Sequence, residues 1–326
     1  MNILYPLKFR PILKEKMWGG NKLKTILNKE THLNNIGESW EISTVGKDIS
    51  VVVNGNLKGA NLADLIKEHK KNLLGNKVYN QFGDQFPLLV KFIDAKRNLS
   101  VQLHPNDELA MKRHNSFGKT EMWYVVQADN DSNLIVGFNK NTSKEEYKKY
   151  LEEGKITELL NFENIVAGDS YFIKAGKIHA IGAGSLIAEI QQTSDVTYRV
   201  YDWDRKDSNG NTRQLHTELA LDALEYEINN DFKLVFDQRK NISNQIAHCN
   251  YFTTNFLEIN NKIVKDYSSL DSFVIIMCIE GEGEIISDSC SNSISIGETM
   301  MVPANFKEIS FKSDFMKLLE VYIDEL

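Results

Sequence analysis

Short runs rich in β-branched and aromatic residues, each closed by Gly, Asn or Asp, recur along most of the chain and restrict its possible folds. They cover residues 39–44, 50–53, 86–94, 99–104, 121–127 and 134–138, then 170–174, 186–192, 197–201, 273–279, 294–296, 299–302 and 317–322. This density predicts a mainly β chain of antiparallel sandwiches or barrels. Helices break the pattern at a few places. Asn61 can cap a helix over 61–71 ahead of Gly75, and Ser143-Lys-Glu-Glu is a capping box leading to Leu151 and Gly154. Residues 217–228 place Leu221, Leu224 and Ile228 on one helical face. That segment and the polar stretch 229–244 form a joint, which divides the chain into residues 1–235 and 236–326.

Bulk properties exclude several function classes. A chain of 326 residues, 42% hydrophobic and 25% charged, folds and is long enough for two cores. Thirty-eight basic against 45 acidic residues give a net charge of −7 without a Lys/Arg block, so no nucleic-acid partner is expected. The longest apolar run, 273–279, is too short to span a bilayer, and Lys8, Arg10, Lys14 and Lys16 interrupt any leader core. A cytoplasmic protein with no membrane partner is the expectation. Cys249, Cys278 and Cys290 lie far apart with no CxxC, so free thiols are expected.

Chemistry concentrates in Ser100-Val-Gln-Leu-His-Pro-Asn-Asp, Gly118-Lys-Thr-Glu-Met-Trp-Tyr-Val and Gly168-Asp-Ser-Tyr-Phe-Ile-Lys-Ala-Gly-Lys-Ile-His. Strand alternation over 99–104 turns Leu99, Val101 and Leu103 one way and Ser100, Gln102 and His104 the other. Inward polar groups are costly unless hydrogen-bonded or bound to something, and a metal is one such compensation. Gln102, His104, Glu121 and His179 would offer two nitrogens and two oxygens. That set suits Zn²⁺, or Fe²⁺, Mn²⁺ or Co²⁺ less selectively, with positions open for substrate or water. Taken singly, each of these residues is also compatible with an ordinary hydrogen-bonded core position.

The segment Gly168, five residues, Lys174-Ala-Gly176, two residues, His179 resembles the second cupin motif, with Lys174 where Pro is usual. Gln102-Leu-His104 with Glu121 resembles the first, with Gln for the first His and a helical insertion at 106–113. Together with Trp18-Gly-Gly, Gly37-Glu-Ser-Trp-Glu-Ile-Ser and Ser194-Asp-Val-Thr-Tyr-Arg-Val-Tyr-Asp-Trp, the chain resembles the short bacterial form of the type I mannose-6-phosphate isomerase family. The likeness covers nearly the whole chain. It implies two cupin (jelly-roll) barrels with helical insertions, the first catalytic and the second metal-free. In the second, Gly297 and Pro303 match the motif, but Asn305 replaces Gly and Glu308 stands at the His position.

The resemblance implies Zn²⁺ on Gln102, His104, Glu121 and His179, and a metal-dependent aldose–ketose isomerisation through an enediol or enediolate. Gln102 is the weakest ligand, since its amide can hold substrate instead. Arg199 is expected to stabilise an oxyanion or phosphate, Ser100 to contact phosphate, and Lys91 to face the pocket. The general base stays open among Lys119, Asp195, Glu189 and a metal-bound hydroxide. Gly118 stands where longer members often have His. Trp18, Trp40, Trp123 and Tyr201 either line a sugar site or pack a core. His32, His69 and His114 read as solvated, and His216 and His248 as structural. Gly281-Glu-Gly-Glu and Gly182-Ala-Gly-Ser read as turns, so no nucleotide cofactor is implied. The partner is a small sugar phosphate, and the chain a monomer or weak homo-oligomer. The alternatives are a sugar-phosphate-binding regulatory protein without turnover, and another cupin enzyme such as an iron dioxygenase or an epimerase.

Overall fold

Both faces of the central strands are apolar because each strand is sandwiched between two cores. Along Glu121–Ala128, Met122 and Tyr124 enter one core while Trp123 and Val125 enter another. Ser185–Gln192 repeats the pattern, with Leu186, Ala188 and Ile190 on one side and Ile187 on the other. A period of two with both sides buried gives near-continuous hydrophobic runs broken only by functional polar residues. The structure is a computed structural model and describes residues 4–207, 209–228, 232–288 and 290–324.

Three large antiparallel sheets organise the molecule. The seven-stranded sheet runs in the order Lys233–Leu234, Ser170–Ile173, Glu121–Ala128, Ser185–Gln192, Leu88–Ala95, Ile12–Gly20 and Ile36–Ile42. Facing it is a five-stranded sheet ordered Leu160–Asn164, Asn133–Phe138, His179–Ile181, Val101–Leu103 and Tyr198–Tyr201. Trp18, Trp123, Val136 and Ile181 fill the space between them. Outside the five-stranded sheet, the helices Lys144–Glu152 and Thr217–Leu221 cover a second core through Tyr147, Ala220 and Leu221. The eight-stranded sheet is built from C-terminal strands plus Leu7–Lys8, which pairs with Met300 and Met301. Its long strands Val274–Ser287 and Glu308–Tyr322 form an inner core with Ile276, Phe311 and Leu318, and Ile275, Leu319 and Val321 pack toward the seven-stranded sheet. No ring of strands closes among the described residues, and the fold is mainly β. The three cysteines form no disulfide, and no helix of the described residues is long and apolar enough to cross a membrane.

Several expectations are corrected here. Residues 50–53 form only isolated bridges, because their partners Phe9 and Asn61 are single loop positions. The helix from Thr217 stops at Leu221, yet Leu224 still reaches the same core from the following turn. Gly281-Glu-Gly-Glu lies inside Val274–Ser287 rather than in a turn, with Gly281 at φ +75° and the pairing with Glu308–Tyr322 shifting register on either side of it. His69 is buried on Leu62–His69 rather than solvated, whereas His114 is exposed as expected and bonds the Tyr198 hydroxyl. Asn61 and Ser143 do cap their helices, accepting from the backbone N–H of Asp64 and Glu146. The predicted insertion after His104 is the helix Asp107–His114, capped by Asn106. Residues 229–231 of the expected joint lie outside the described residues.

Candidate active site

Register places two rows of functional side chains face to face. On the five-stranded sheet, Gln102 lies directly between His179 and Arg199 in the neighbouring strands. On the seven-stranded sheet, Glu189 lies between Trp123 and Lys91, and Lys91 is opposite Trp40. Directly opposed side chains on antiparallel strands lie within contact distance. The second row is accordingly a bonded unit, with the Lys91 ammonium 2.8 Å from Glu189 Oε1 and the Trp123 indole N–H donating to Glu189 Oε2 at 2.8 Å. A cleft of about 490 Å³ separates the rows, lined also by Trp18, Lys119, Asp195 and Arg213.

Two imidazoles and a carboxylate converge at the floor. His104 Nδ1 bonds the Val196 carbonyl at 2.9 Å and His179 Nδ1 bonds the Lys177 carbonyl at 2.8 Å. Each backbone acceptor holds a proton on Nδ1 and leaves the Nε2 lone pair facing inward. Both Nε2 atoms lie 3.5 Å from Glu121, one at each carboxylate oxygen. The three residues, each about 1% exposed or less, present ligand atoms within 4.8 Å of one another. His179 Nε2 and both Glu121 oxygens have no hydrogen-bond partner, although the Lys119 ammonium stands 2.8 Å from Glu121 Oε2 and 3.0 Å from His104 Nε2. Buried polar atoms seldom go unsatisfied without a reason. Converging neutral imidazoles and a carboxylate fit a divalent cation.

Electrostatics keep both imidazoles in binding form. Burial pushes His179 down to about 3 and His104 well below its ordinary value, Lys119 adding to both, so both rings are neutral. Glu121 is pushed up to about 7 by burial and by Glu189, against the pull of Lys119. Burial also acts to raise Glu189, but Lys91 and Lys119 outweigh it and hold Glu189 ionised. Lys91 is raised because Glu189 and Glu38 overcome its desolvation.

The remaining expected residues divide between depth and rim. Ser100 is buried, donating to the Gln102 side-chain oxygen at 3.3 Å and accepting from Arg199 Nε at 3.3 Å. Arg199 also donates to the Gln214 carbonyl at 2.9 Å, and His216 Nδ1 accepts from its backbone N–H. That bond gives His216 the structural role expected of it. Asp195 sits exposed at the mouth. Trp18, Trp40 and Trp123 line the cleft, whereas Tyr201 bonds Asp204 and packs on Trp203. Gly118 has no room for a side chain, since a Cβ there would meet the Asp107 backbone nitrogen at 2.6 Å. Its N–H donates to Asp107 Oδ1, which also accepts from Gln192, while Tyr251, in the turn joining two strands of the C-terminal sheet, donates to Asp107 Oδ2 at 2.6 Å. These bonds fix the loop that carries Lys119. Sequence reasoning missed Lys14, Lys16, Glu38, Asp48 and Arg213 in the lining. Glu38 was within a quoted motif, and its alternation with Trp40 was the available signal.

Comparisons with known proteins agree over nearly the full length. Residues 6–157 match the family model of the type I phosphomannose isomerase catalytic domain, and 241–323 that of the mannose-6-phosphate isomerase cupin domain. A mannose-6-phosphate isomerase of Bacillus subtilis is 36% identical over 314 residues, covering 94% of this chain and 96% of the relative. One from Streptococcus mutans is 33% identical over 310 residues, with 95% and 96% covered. The crystal structure of a mannose 6-phosphate isomerase from Bacillus subtilis superposes with a TM-score of 0.89 at 32% identity, over 98% of this chain and 100% of that one. A variant of the Salmonella typhimurium phosphomannose isomerase, at 16% identity and TM-score 0.81, shares the fold over 99% of this chain and 100% of its own.

Proposed function

The chain belongs to the type I phosphomannose isomerase family, and from that premise we propose that it interconverts mannose 6-phosphate and fructose 6-phosphate as a metal-dependent aldose–ketose isomerase. The observation that carries this reading is the buried His104–Glu121–His179 group, whose His179 lines the same cleft as the Lys91–Glu189 pair. A sugar-phosphate-binding regulator without turnover gives way, because the match over 6–157 is to a catalytic domain. We read residues 1–235 as a catalytic cupin barrel with helical insertions and 236–326 as a second, metal-free cupin-like barrel, supported by the cupin-domain match.

His104, Glu121 and His179 would hold the ion, with the Gln102 amide oxygen as a fourth ligand, and Zn²⁺ suits this donor set best. When bound, the ion supplies Lewis acidity to the carbonyl and hydroxyl oxygens of the sugar. Lys119, whose Nζ stands nearest the ligand atoms, is our candidate for moving the proton, as a free amine taking it from one carbon and as the resulting ammonium returning it to the adjacent carbon of the enediol or enediolate. Asp195 at the rim and Glu189 at depth are the other candidates for that proton. Lys91 and Glu189 orient sugar hydroxyls, Ser100 contacts the phosphate, and Arg199 meets anionic charge with a guanidinium that stays protonated. Trp18, Trp40 and Trp123 exclude water. The test is turnover of both sugar phosphates in a coupled assay before and after chelation, then after adding Zn²⁺. Loss and recovery are expected. A folded, stoichiometrically loaded protein inert toward both sugars ends the reading.

A further inference from the structure

A phosphorylated substrate needs cationic charge at the cleft mouth that is not already neutralised, and the two rims differ in this respect. On one rim Lys14 lies 2.5 Å from Asp48 and Lys16 lies 3.1 Å from Glu38, so each cation has its own carboxylate. On the other, Arg205 and Arg213 share the single carboxylate of Asp202, and Arg199 forms no ion pair among the described residues. Three guanidiniums around one carboxylate leave two positive charges. Asp195, on the same rim, pairs with none of them. Arg199 and Arg213 both line the cleft.

This cluster is held by a strained turn. Trp203 and Asp204 are consecutive non-glycine residues in the left-handed region, at φ +57° and +51°. Such pairs persist only where the surroundings enforce them, and they gather at binding sites. Here the Trp203 indole donates to the Leu99 carbonyl at 2.7 Å and Arg205 Nη1 to the Asn98 carbonyl at 2.6 Å. The turn is thereby fastened to the residues leading into Ser100 and Gln102. Asp202 is 6% exposed and receives Arg213 Nε at 2.7 Å on one oxygen and Arg213 Nη2 on the other. Two contacts from one guanidinium set its plane.

Resting on the isomerase reading, we propose that Arg213, aimed by Asp202 and Arg205, is a phosphate-binding residue beside Arg199 and Ser100 that selects phosphorylated over free sugar. Asp202 is a positioning residue. The test compares Arg213→Gln, Asp202→Asn and, on the opposite rim, Lys14→Met, all checked for metal content and melting temperature. Arg213→Gln should weaken calorimetric binding of inorganic phosphate, and raise KM for mannose 6-phosphate, about tenfold or more. Its kcat should stay within about threefold. Asp202→Asn should reproduce the KM effect in part, and Lys14→Met should leave phosphate binding within about twofold. Unchanged phosphate affinity in a folded, metal-loaded Arg213→Gln overturns the proposal, as does a larger loss in Lys14→Met. Phosphate binding is read without turnover, so an inert wild-type protein would count against the isomerase reading alone.

Discussion

Replacing His179 by alanine tests the metal centre through two separable energies. The first belongs to the metal-free protein. His179 is 1% exposed, donates from Nδ1 to the Lys177 carbonyl at 2.8 Å, and packs edge-on against Trp123 at 5.4 Å. Losing a buried hydrogen bond costs about 1 kcal/mol, and the lost aromatic contact and cavity add about 1–2. A fall of about 2–3 kcal/mol is expected, which a chain of ordinary stability survives. The second energy is the stabilisation by bound ion. With free metal at about 100 times the wild-type dissociation constant, linkage gives about 2.7 kcal/mol. Removing one of three converging protein ligands should weaken binding by at least about 100-fold, leaving about 0.4 kcal/mol at the same concentration. At roughly 2 °C per kcal/mol, the metal-induced rise in melting temperature shrinks from about 5 °C to about 1 °C. Calorimetric melting with and without Zn²⁺, alongside metal analysis after dialysis, reads both. Stoichiometric metal and an undiminished thermal shift in folded His179→Ala would refute the assigned ligand set.

Three further outcomes follow from the same structure. Arg199→Ala should retain stoichiometric metal while kcat falls by about 10² to 10³, and full activity in steady-state assays would remove Arg199 from the chemistry. Tyr251→Phe deletes the 2.6 Å bond to Asp107 that braces the Lys119 loop from the C-terminal sheet, so kcat should drop several-fold with metal content intact. In the C-terminal core, Glu320 is fully buried and accepts from Tyr267, Ser243 and Asn255, with Lys265 at 2.9 Å. Burial acts to raise its carboxyl, but Lys265, Ser243 and Tyr267 win and hold it below the usual range. Its contribution is therefore present above the ordinary glutamate value and lost as pH falls toward the lowered one. Urea melts should show Glu320→Leu losing about 3 kcal/mol at neutral pH and flattening the acid dependence, and Glu320→Leu with Lys265→Met recovering most of it.

Sequence alone determined the strand-rich character, the caps at Asn61 and Ser143, and the polar face of Ser100, Gln102 and His104. These are local matters, set by alternation and by single side chains bonding their own backbone. It also singled out His104, Glu121 and His179, which the structure brings together, because their motif spacing is distinctive even though they lie far apart in the chain. Strands such as Ile12–Gly20 and Phe252–Ile259 stayed hidden. The first carries Lys14 and Lys16 toward a polar cleft, and the second turns Thr253, Asn255 and Glu258 into buried positions, so neither shows the expected apolar alternation. Only tertiary structure decided that Glu189 lies between Lys91 and Trp123, that Arg213 reaches the cleft, and that Tyr251 braces a loop more than a hundred residues away. Cross-strand register and packing between sheets join residues whose separation along the chain carries no periodic signal, and charge balance at a site exists only once those partners have met.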